Sequence, residues 1–155
     1  MTRTTFGATA TFIAAMLALL LAAGCGSESN TPDPPRCDLC GMRVEADSEW
    51  RAGGQREAGE ELHFDAPKCL FRYHYREGAV QEPWVIEYYN QERSPASELL
   101  FVAGSDLLGP MGEDLIPVRG QEQADGLRID HHGSAAHPYA EVTEAVVDEL
   151  FQVDE

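Results

Sequence analysis

The order of short apolar runs and helical segments constrains the fold more than any other feature of this chain, because the same order occurs twice. The first copy is predicted to comprise a weak strand, a short strand, a helix and a clear strand, at residues 49–52, 62–64, about 66–76 and 84–89. Asp65 is placed to cap the helix, Pro67 suits its first turn, and Gly78 ends it. Residues 84–89 are rich in aromatic and β-branched side chains, which is typical of a strand.

The second copy repeats this order with almost no identity to the first. It is predicted to comprise two strands, a helix and a third strand, at residues 99–103, 114–118, 121–131 and 139–142. Gly133 suits the end of the helix, and residues 143–151 are predicted to form a closing helix. The sequence therefore predicts an α+β fold, in which two small ββαβ units (about 45–92 and 97–143) follow each other and precede a short C-terminal helix.

The N-terminus has the features of a targeting segment. Arg3 precedes an apolar run that ends in small residues, so residues 1–24 are predicted to be a signal peptide. The residues around Cys25 resemble a bacterial lipobox, which implies that this cysteine is acylated; a plain secretory signal is the alternative. Residues 25–36 are polar and proline-rich, as expected of a flexible tether. We expect a lipoprotein of the cell membrane or outer membrane that faces the periplasm or the extracellular side.

The charge of the chain is strongly acidic. With 27 acidic and 11 basic residues, the net charge is −16. Such a surface repels nucleic acid and favours cationic partners or metal ions, although solubility alone also explains it. Nucleic acid is therefore not an expected partner.

Residues 37–42, CDLCGM, gather three sulfur side chains in a turn-prone segment. Cys37 and Cys40 can face one point, and Met42 returns to the same side if the chain is extended there. Thiolates together with a thioether favour Cu(I). A disulfide, or a structural zinc site with Met42 in the core, remains an alternative. Because Cys69 is a third thiol of the folded part, one disulfide would leave an odd cysteine.

Met111 lies in the tight loop GPMG, where a side chain between proline and glycine is difficult to bury. It is therefore a candidate ligand instead of a core residue. His132, near the end of the second helix, is a weaker candidate, because a helix dipole explains a histidine there equally well. Cys69 is expected to be buried in the first helix. No nucleophile triad or phosphate loop indicates an enzyme.

Three blocks in this order resemble the NosL family of copper-binding lipoproteins, which accompany nitrous oxide reductase. They are CDLCGM at 37–42, FDAPKCLFRY at 64–73 and GSDLLGPMGEDLIP at 104–117. The resemblance implies a NosL-like domain over residues 37–155 with two ββαβ units. It also implies a Cu(I) chaperone whose partners are the maturation apparatus of nitrous oxide reductase, including membrane transporter components, or the reductase itself.

Carried over residue by residue, the resemblance assigns metal binding to Cys40, Met42 and Met111, with Cys37 or His132 assisting. Glu113 stands where many relatives have histidine. Two other functions remain open at this point. Cys37 and Cys40 could act as a thiol–disulfide oxidoreductase, or these two residues with Cys69 and a histidine could hold structural zinc.

Overall fold

The computed structural model of the chain describes residues 33–152, and the predicted signal peptide, Cys25 and most of the tether lie outside them. The strands are β1 (Ala52–Gln55), β2 (Glu61–Phe64), β3 (Gln81–Ile86), β4 (Arg93–Pro95), β5 (Leu100–Ala103), β6 (Leu108–Gly109), β7 (Gly112–Glu113), β8 (Ile116–Val118) and β9 (Ala135–Pro138). The α-helices are α1 (Pro67–Arg76), α2 (Gly120–Asp130) and α3 (Glu144–Glu149). Short 3₁₀ helices occupy Ala96–Glu98 and Tyr139–Glu141.

The two predicted ββαβ units are present, and the α+β class is confirmed. The first unit forms an antiparallel sheet of order β2-β1-β3-β4, with α1 between β2 and β3 along the chain. The second forms an antiparallel sheet of order β8-β5-β9, with α2 between β8 and β9. Between β5 and β8 the chain adds the small hairpin β6–β7.

The larger of two hydrophobic clusters is shared by the two units. Neighbouring residues of β5 point to opposite faces of its sheet, as strand geometry requires. Phe101 packs edge-on against Phe71 of α1, with ring centroids 4.9 Å apart, in a core that also includes residues of the first sheet. Val102 packs with Leu127 of α2 in a second cluster. Both clusters lie within residues 37–151, and the chain from residue 33 onward is one compact unit that contains its own core.

Three strands lie away from their predicted positions. Strand β3 is Gln81–Ile86 and not 84–89, because its first residue pairs with Gln55 of β1 and residues 88–90 form a turn. The first strand is Ala52–Gln55 and not 49–52, because its two glycines allow close packing instead of a turn. A Cβ at Gly53 would lie 2.6 Å from the Trp84 ring. The last strand is Ala135–Pro138, where pairing with β5 overrides the weak strand propensity of its sequence, and the predicted strand position is 3₁₀ helix.

Two helix ends differ from the predicted ones. Ala66, and not Asp65, is the N-cap of α1, and its side chain makes no capping hydrogen bond. Instead the carboxylate of Asp114, 46 residues away, accepts a hydrogen bond from the Lys68 N–H at 2.8 Å. At the end of α2, His132 and not Gly133 takes the left-handed backbone, with φ of +60°. Within residues 33–152 no helix has the length and apolar character needed to cross a membrane.

Candidate metal centre

A tight turn presents the CDLCGM cysteines. The N–H of Cys37 donates to the Met42 carbonyl (2.7 Å), and the N–H of Gly41 donates to the Cys37 carbonyl (2.9 Å). Gly41 has φ of +77°, which glycine adopts at little cost. Asp38 fixes the turn to β2, since it exchanges hydrogen bonds of 2.9 and 2.8 Å with the backbone of His63. Hydrogen bonds within the turn and to β2 therefore limit how far its thiols can move.

Helix α1 brings two further donors to this turn. Asp65 lies just before the helix and Cys69 is its third residue, so both face the turn from the helix N-terminus. Donor atoms of four residues, the three thiols and one carboxylate, lie within 4.8 Å of one another: Cys37, Cys40, Asp65 and Cys69. All three cysteines are free of disulfides. Tetrahedral or trigonal sites need donors at about this spacing, so the group can close on one ion with small shifts.

The carboxylate of Asp65 is buried and only half satisfied. Its Oδ1 accepts a hydrogen bond from the Cys40 thiol at 3.4 Å. Its Oδ2 has no hydrogen-bond partner among the described residues, although only 3% of the residue is exposed. A buried, unpartnered carboxylate oxygen costs free energy, so it marks a place where an additional cation or proton would be stabilised.

The three thiols differ in their tendency to ionise. A hydrogen bond from the Cys69 thiol lowers the pKa of Cys37 to about 7, and burial offsets part of this effect. The same hydrogen bond, together with burial, raises the pKa of Cys69 above its ordinary value. Burial also raises the pKa of Cys40 to about 11. Cys37 is therefore the first of the three thiols to ionise, and its thiolate accepts a hydrogen bond from the Cys69 thiol. A soft metal ion that binds here would displace the protons of the neighbouring thiols.

The methionines predicted as ligands are not core residues. Met42 and Met111 are each 39% exposed. Met42 is joined to the cysteine turn through its carbonyl, and Met111 lies between β6 and β7. The Met111 carbonyl accepts a hydrogen bond (2.8 Å) from the side chain of Lys68, the residue before Cys69. The structure thus brings the Met111 loop to the helical turn that carries Cys69.

Among the predicted ligands, Cys37 and Cys40 belong to the cysteine group, whereas His132 does not. It follows the C-cap of α2, beside His131, whose imidazole Nδ1 lies 3.0 Å from the Asp106 carboxylate. Its role as a ligand stays a prediction, as do the roles of Cys37, Cys40, Met42 and Met111. Asp65 was not predicted as a site residue, because its position suited a helix cap. The expected burial of Cys69 is confirmed, and as a ligand it was considered only in the zinc alternative. Asp65 and Cys69 both lie in the sequence block FDAPKC at residues 64–69, and this closeness in sequence was the available signal that they belong to one site.

Comparison with known proteins accords with this geometry. A sequence model of the NosL family matches residues 31–147. The chain belongs to the NosL family. A solved structure, described as the copper chaperone NosL from Shewanella denitrificans, shares this fold with a TM-score of 0.63. The identity to that NosL structure is 21%, over 73% of this chain and 92% of the other. No curated protein matches the chain.

Proposed function

We propose that this protein binds Cu(I) and delivers it to a copper-protein assembly system, and that it is not an enzyme. The observation that carries the proposal is the convergence of three free thiols within 4.8 Å in a chain of the NosL family. The related solved structure is described as a copper chaperone. Thiolates are the donors that soft Cu(I) prefers, and two exposed thioethers on the adjoining segments extend the same preference.

The donors divide into a buried and an exposed set. Cys37 and Cys69 are buried, whereas Cys40 is exposed and adjoins the thioether of Met42 in sequence. In the proposed site Cys40, Met42 and Met111 are the principal ligands, Cys37 assists, and Cys69 is a further thiol within reach. His132 remains an assisting candidate on sequence grounds alone.

Exposure of one thiol and both thioethers supports transfer by ligand exchange. An incoming thiolate or thioether of a client can reach Cu(I) only where the ion is not covered by protein. Cys40, Met42 and Met111 meet this condition. We propose that the client replaces these ligands one at a time, so that Cu(I) never dissociates into water.

The proposed client is nitrous oxide reductase, reached directly or through the membrane transporter components of its maturation apparatus. The family supports this assignment, since NosL proteins accompany that enzyme. Acylation of Cys25 would hold the protein at a membrane, as a lipoprotein facing the periplasm or the extracellular side. The tether would leave the domain free to reach a partner at that surface.

A structural zinc site is the second candidate, and Asp65 is the observation that favours it. Three thiolates and one carboxylate form a tetrahedral set that suits Zn²⁺, whereas a hard oxygen adds little for Cu(I). The predicted fourth zinc ligand was a histidine, and the structure supplies Asp65 in its place. Such a site would leave both exposed methionines without a role.

The oxidoreductase alternative has less support, because accessibility and thiolate character fall on different cysteines. A redox nucleophile must be both ionised and reachable. Cys37 has the lowered pKa but is 3% exposed, while the exposed Cys40 has a raised pKa. No one of the three thiols combines the two properties.

Complementation tests the proposed function. In a bacterium that respires nitrous oxide and lacks its own NosL, expression of the wild-type chain is expected to restore N₂O reduction and the copper content of the reductase. Cys40→Ser is expected to fail. As a control, Leu108→Ala changes an exposed residue of the β6–β7 hairpin that carries no sulfur. Equal restoration by Cys40→Ser, or none by the wild type, would contradict the proposal.

A further inference from the structure

Lys68 is a buried charge that the proposed function does not use. Only 1% of the residue is exposed. Burying an ammonium group is unfavourable unless its N–H donors are satisfied by hydrogen bonds. Here its Nζ donates to the carbonyls of Met111 (2.8 Å), Glu113 (2.7 Å) and Leu150 (3.4 Å), so three acceptors meet its three N–H groups.

Two of these three acceptors belong to the loop that carries Met111. The third is at the end of α3, where the Phe151 ring centroid also lies 5.1 Å from Nζ. In addition, the backbone N–H of Lys68 donates to the buried carboxylate of Asp114, which follows β7. Lys68 therefore makes three hydrogen bonds to residues 111–114, two through its side chain and one through its main-chain N–H.

The β6–β7 hairpin needs such support. Each of its strands has two residues, and a hairpin of that size is marginally stable alone. At its tip, Gly112 has φ of +89° and nothing within 4 Å of an added Cβ, so the tip is not packed on that side. The Met111 side chain is exposed and has three rotatable bonds, so only its backbone can be fixed in advance.

We infer that Lys68 is a positioning residue for Met111, holding this loop so that its thioether is presented to a metal ion at the cysteine group. The inference rests on the proposed Cu(I) site. Lys68 directly precedes Cys69, so the same helical turn fixes a thiol of the group and the backbone of the methionine loop. Preorganisation of this kind raises affinity because less loop entropy is lost when the ion binds.

A double-mutant cycle on Cu(I) affinity tests the inference. Lys68→Leu removes the ammonium while keeping an apolar side chain of similar volume, and Met111→Ala removes the thioether. In the reduced protein of residues 26–155, Lys68→Leu is expected to lower Cu(I) affinity about tenfold, in the range seen when residues supporting a metal ligand are replaced. In the Met111→Ala background it is expected to lower affinity less than about twofold, because the ligand it positions is absent.

Arg72→Leu is the matched control. Arg72 lies one turn further along α1, donates to Asp148 at 2.7 Å and lies 3.6 Å from the Phe151 ring centroid. It therefore joins α1 to the C-terminal segment but not to the methionine loop. It is expected to lower the Tm with less than about a twofold change in Cu(I) affinity. An equal affinity loss from Arg72→Leu and Lys68→Leu would overturn the inference, and so would an equal effect of Lys68→Leu in both backgrounds.

A second readout does not require metal. Residues 26–155 contain two methionines, Met42 and Met111, so a protein labelled with ¹³C at the methionine methyl groups gives two signals. In Lys68→Leu the Met111 signal is expected to shift and sharpen, and the Met42 signal to stay in place. An unchanged Met111 signal would overturn the inference even if the proposed function holds. Conversely, a wild-type protein that binds no Cu(I) would refute the proposed function, whatever the methyl signals show.

Discussion

Met111 is half-exposed in a chain whose long apolar side chains mostly pack into two clusters. If it is a ligand, Met111→Ala should lower Cu(I) affinity about tenfold to a hundredfold, at least as much as the loss of a residue that only supports a ligand. The measurement is competition with a Cu(I) chelator. Leu108→Ala, in the same hairpin and 63% exposed, should change affinity by less than about twofold. Equal affinities for Met111→Ala and the wild type would remove Met111 from the site.

Asp114 gives a prediction about pH. Burial raises the pKa of its carboxyl to about 7, against an ordinary value near 3.9, although hydrogen bonds from the Leu115 and Lys68 N–H groups oppose the effect. The folded protein therefore keeps this proton to higher pH than the unfolded chain. This group's contribution to the free energy of unfolding is greatest below pH 4 and decreases as the pH rises to about 7.

Asp114→Asn should remove that decrease while its side-chain oxygen still accepts both N–H groups. In metal-free protein, the free energy of unfolding of the variant should increase relative to that of the wild type by about 2–4 kcal/mol between pH 4.5 and pH 8, because only the wild type loses stability. Urea unfolding at a series of pH values measures this. A difference that stays constant with pH would show that the carboxyl does not ionise in this range.

At the scale of the elements, Gly53 and Gly126 make opposite predictions. A Cβ at Gly53 in β1 would lie 2.6 Å from the Trp84 ring and 2.7 Å from the Leu62 carbonyl, so Gly53→Ala should destabilise the fold by about 1–3 kcal/mol. Gly126 is inside α2, where an added Cβ would lie no closer than 4.0 Å to Tyr89. Gly126→Ala should stabilise by about 0.5–1 kcal/mol.

Denaturant unfolding measures both glycine variants, and each serves as the control for the other. Stabilisation by Gly53→Ala would mean that β1 does not pack under Trp84 as described. Destabilisation by Gly126→Ala would mean that α2 has less room at its surface than the structure gives it.

The elements also show which parts of the fold could be predicted from the sequence. Helix α1 was predicted to within one residue, because Pro67 and the helical pattern that follows it are local signals, although its N-cap is Ala66 and not Asp65. Strand β1 was misplaced, because Gly53 and Gly54 are typical of turns, and the contact that requires glycine comes from Trp84, 31 residues later. Strand β9 was misplaced because its pairing with β5 is also a long-range contact.

The same distinction between local signals and long-range contacts applies to the candidate metal site. The sulfur residues of CDLCGM and Met111 were predicted as candidates from their own types and turn-forming neighbours. Asp65 and Lys68 were not, because Asp65 looked like a helix cap and no local feature of the sequence distinguishes Lys68. Their roles depend on contacts with Cys40 and with the Met111 loop, 25 and 43 residues away. Spacing within a short segment cannot reveal such contacts.

At the scale of the whole molecule, metal binding should be coupled to stability. The cysteine group joins the turn at residues 37–42 to α1, so an ion held there should bind the folded protein much more tightly than the unfolded chain. At a free Cu(I) concentration about a hundred times the Kd, the gain is about 2.7 kcal/mol. For a domain of this size that gain should raise the Tm by about 10 °C.

Thermal unfolding with and without Cu(I) measures this coupling. Cys40→Ser should unfold at nearly the same temperature as the wild type without metal, because Cys40 is exposed, and should gain little from Cu(I). An equal rise in Tm for both proteins would place the ion elsewhere on the acidic surface.

The choice between a Cu(I) site and a zinc site can be made by an anaerobic Cu(I) titration of the reduced protein, residues 26–155. The titration is run against a chromophoric Cu(I) chelator, with Zn²⁺ titrated in parallel. We predict one tight equivalent of Cu(I), which is lost in Cys40→Ser and is not displaced by excess Zn²⁺. Zn²⁺ binding in preference to Cu(I), or Cu(I) binding that does not depend on Cys40, would contradict it. The cysteine group with Asp65 would then be a structural zinc site, or Cu(I) would bind elsewhere.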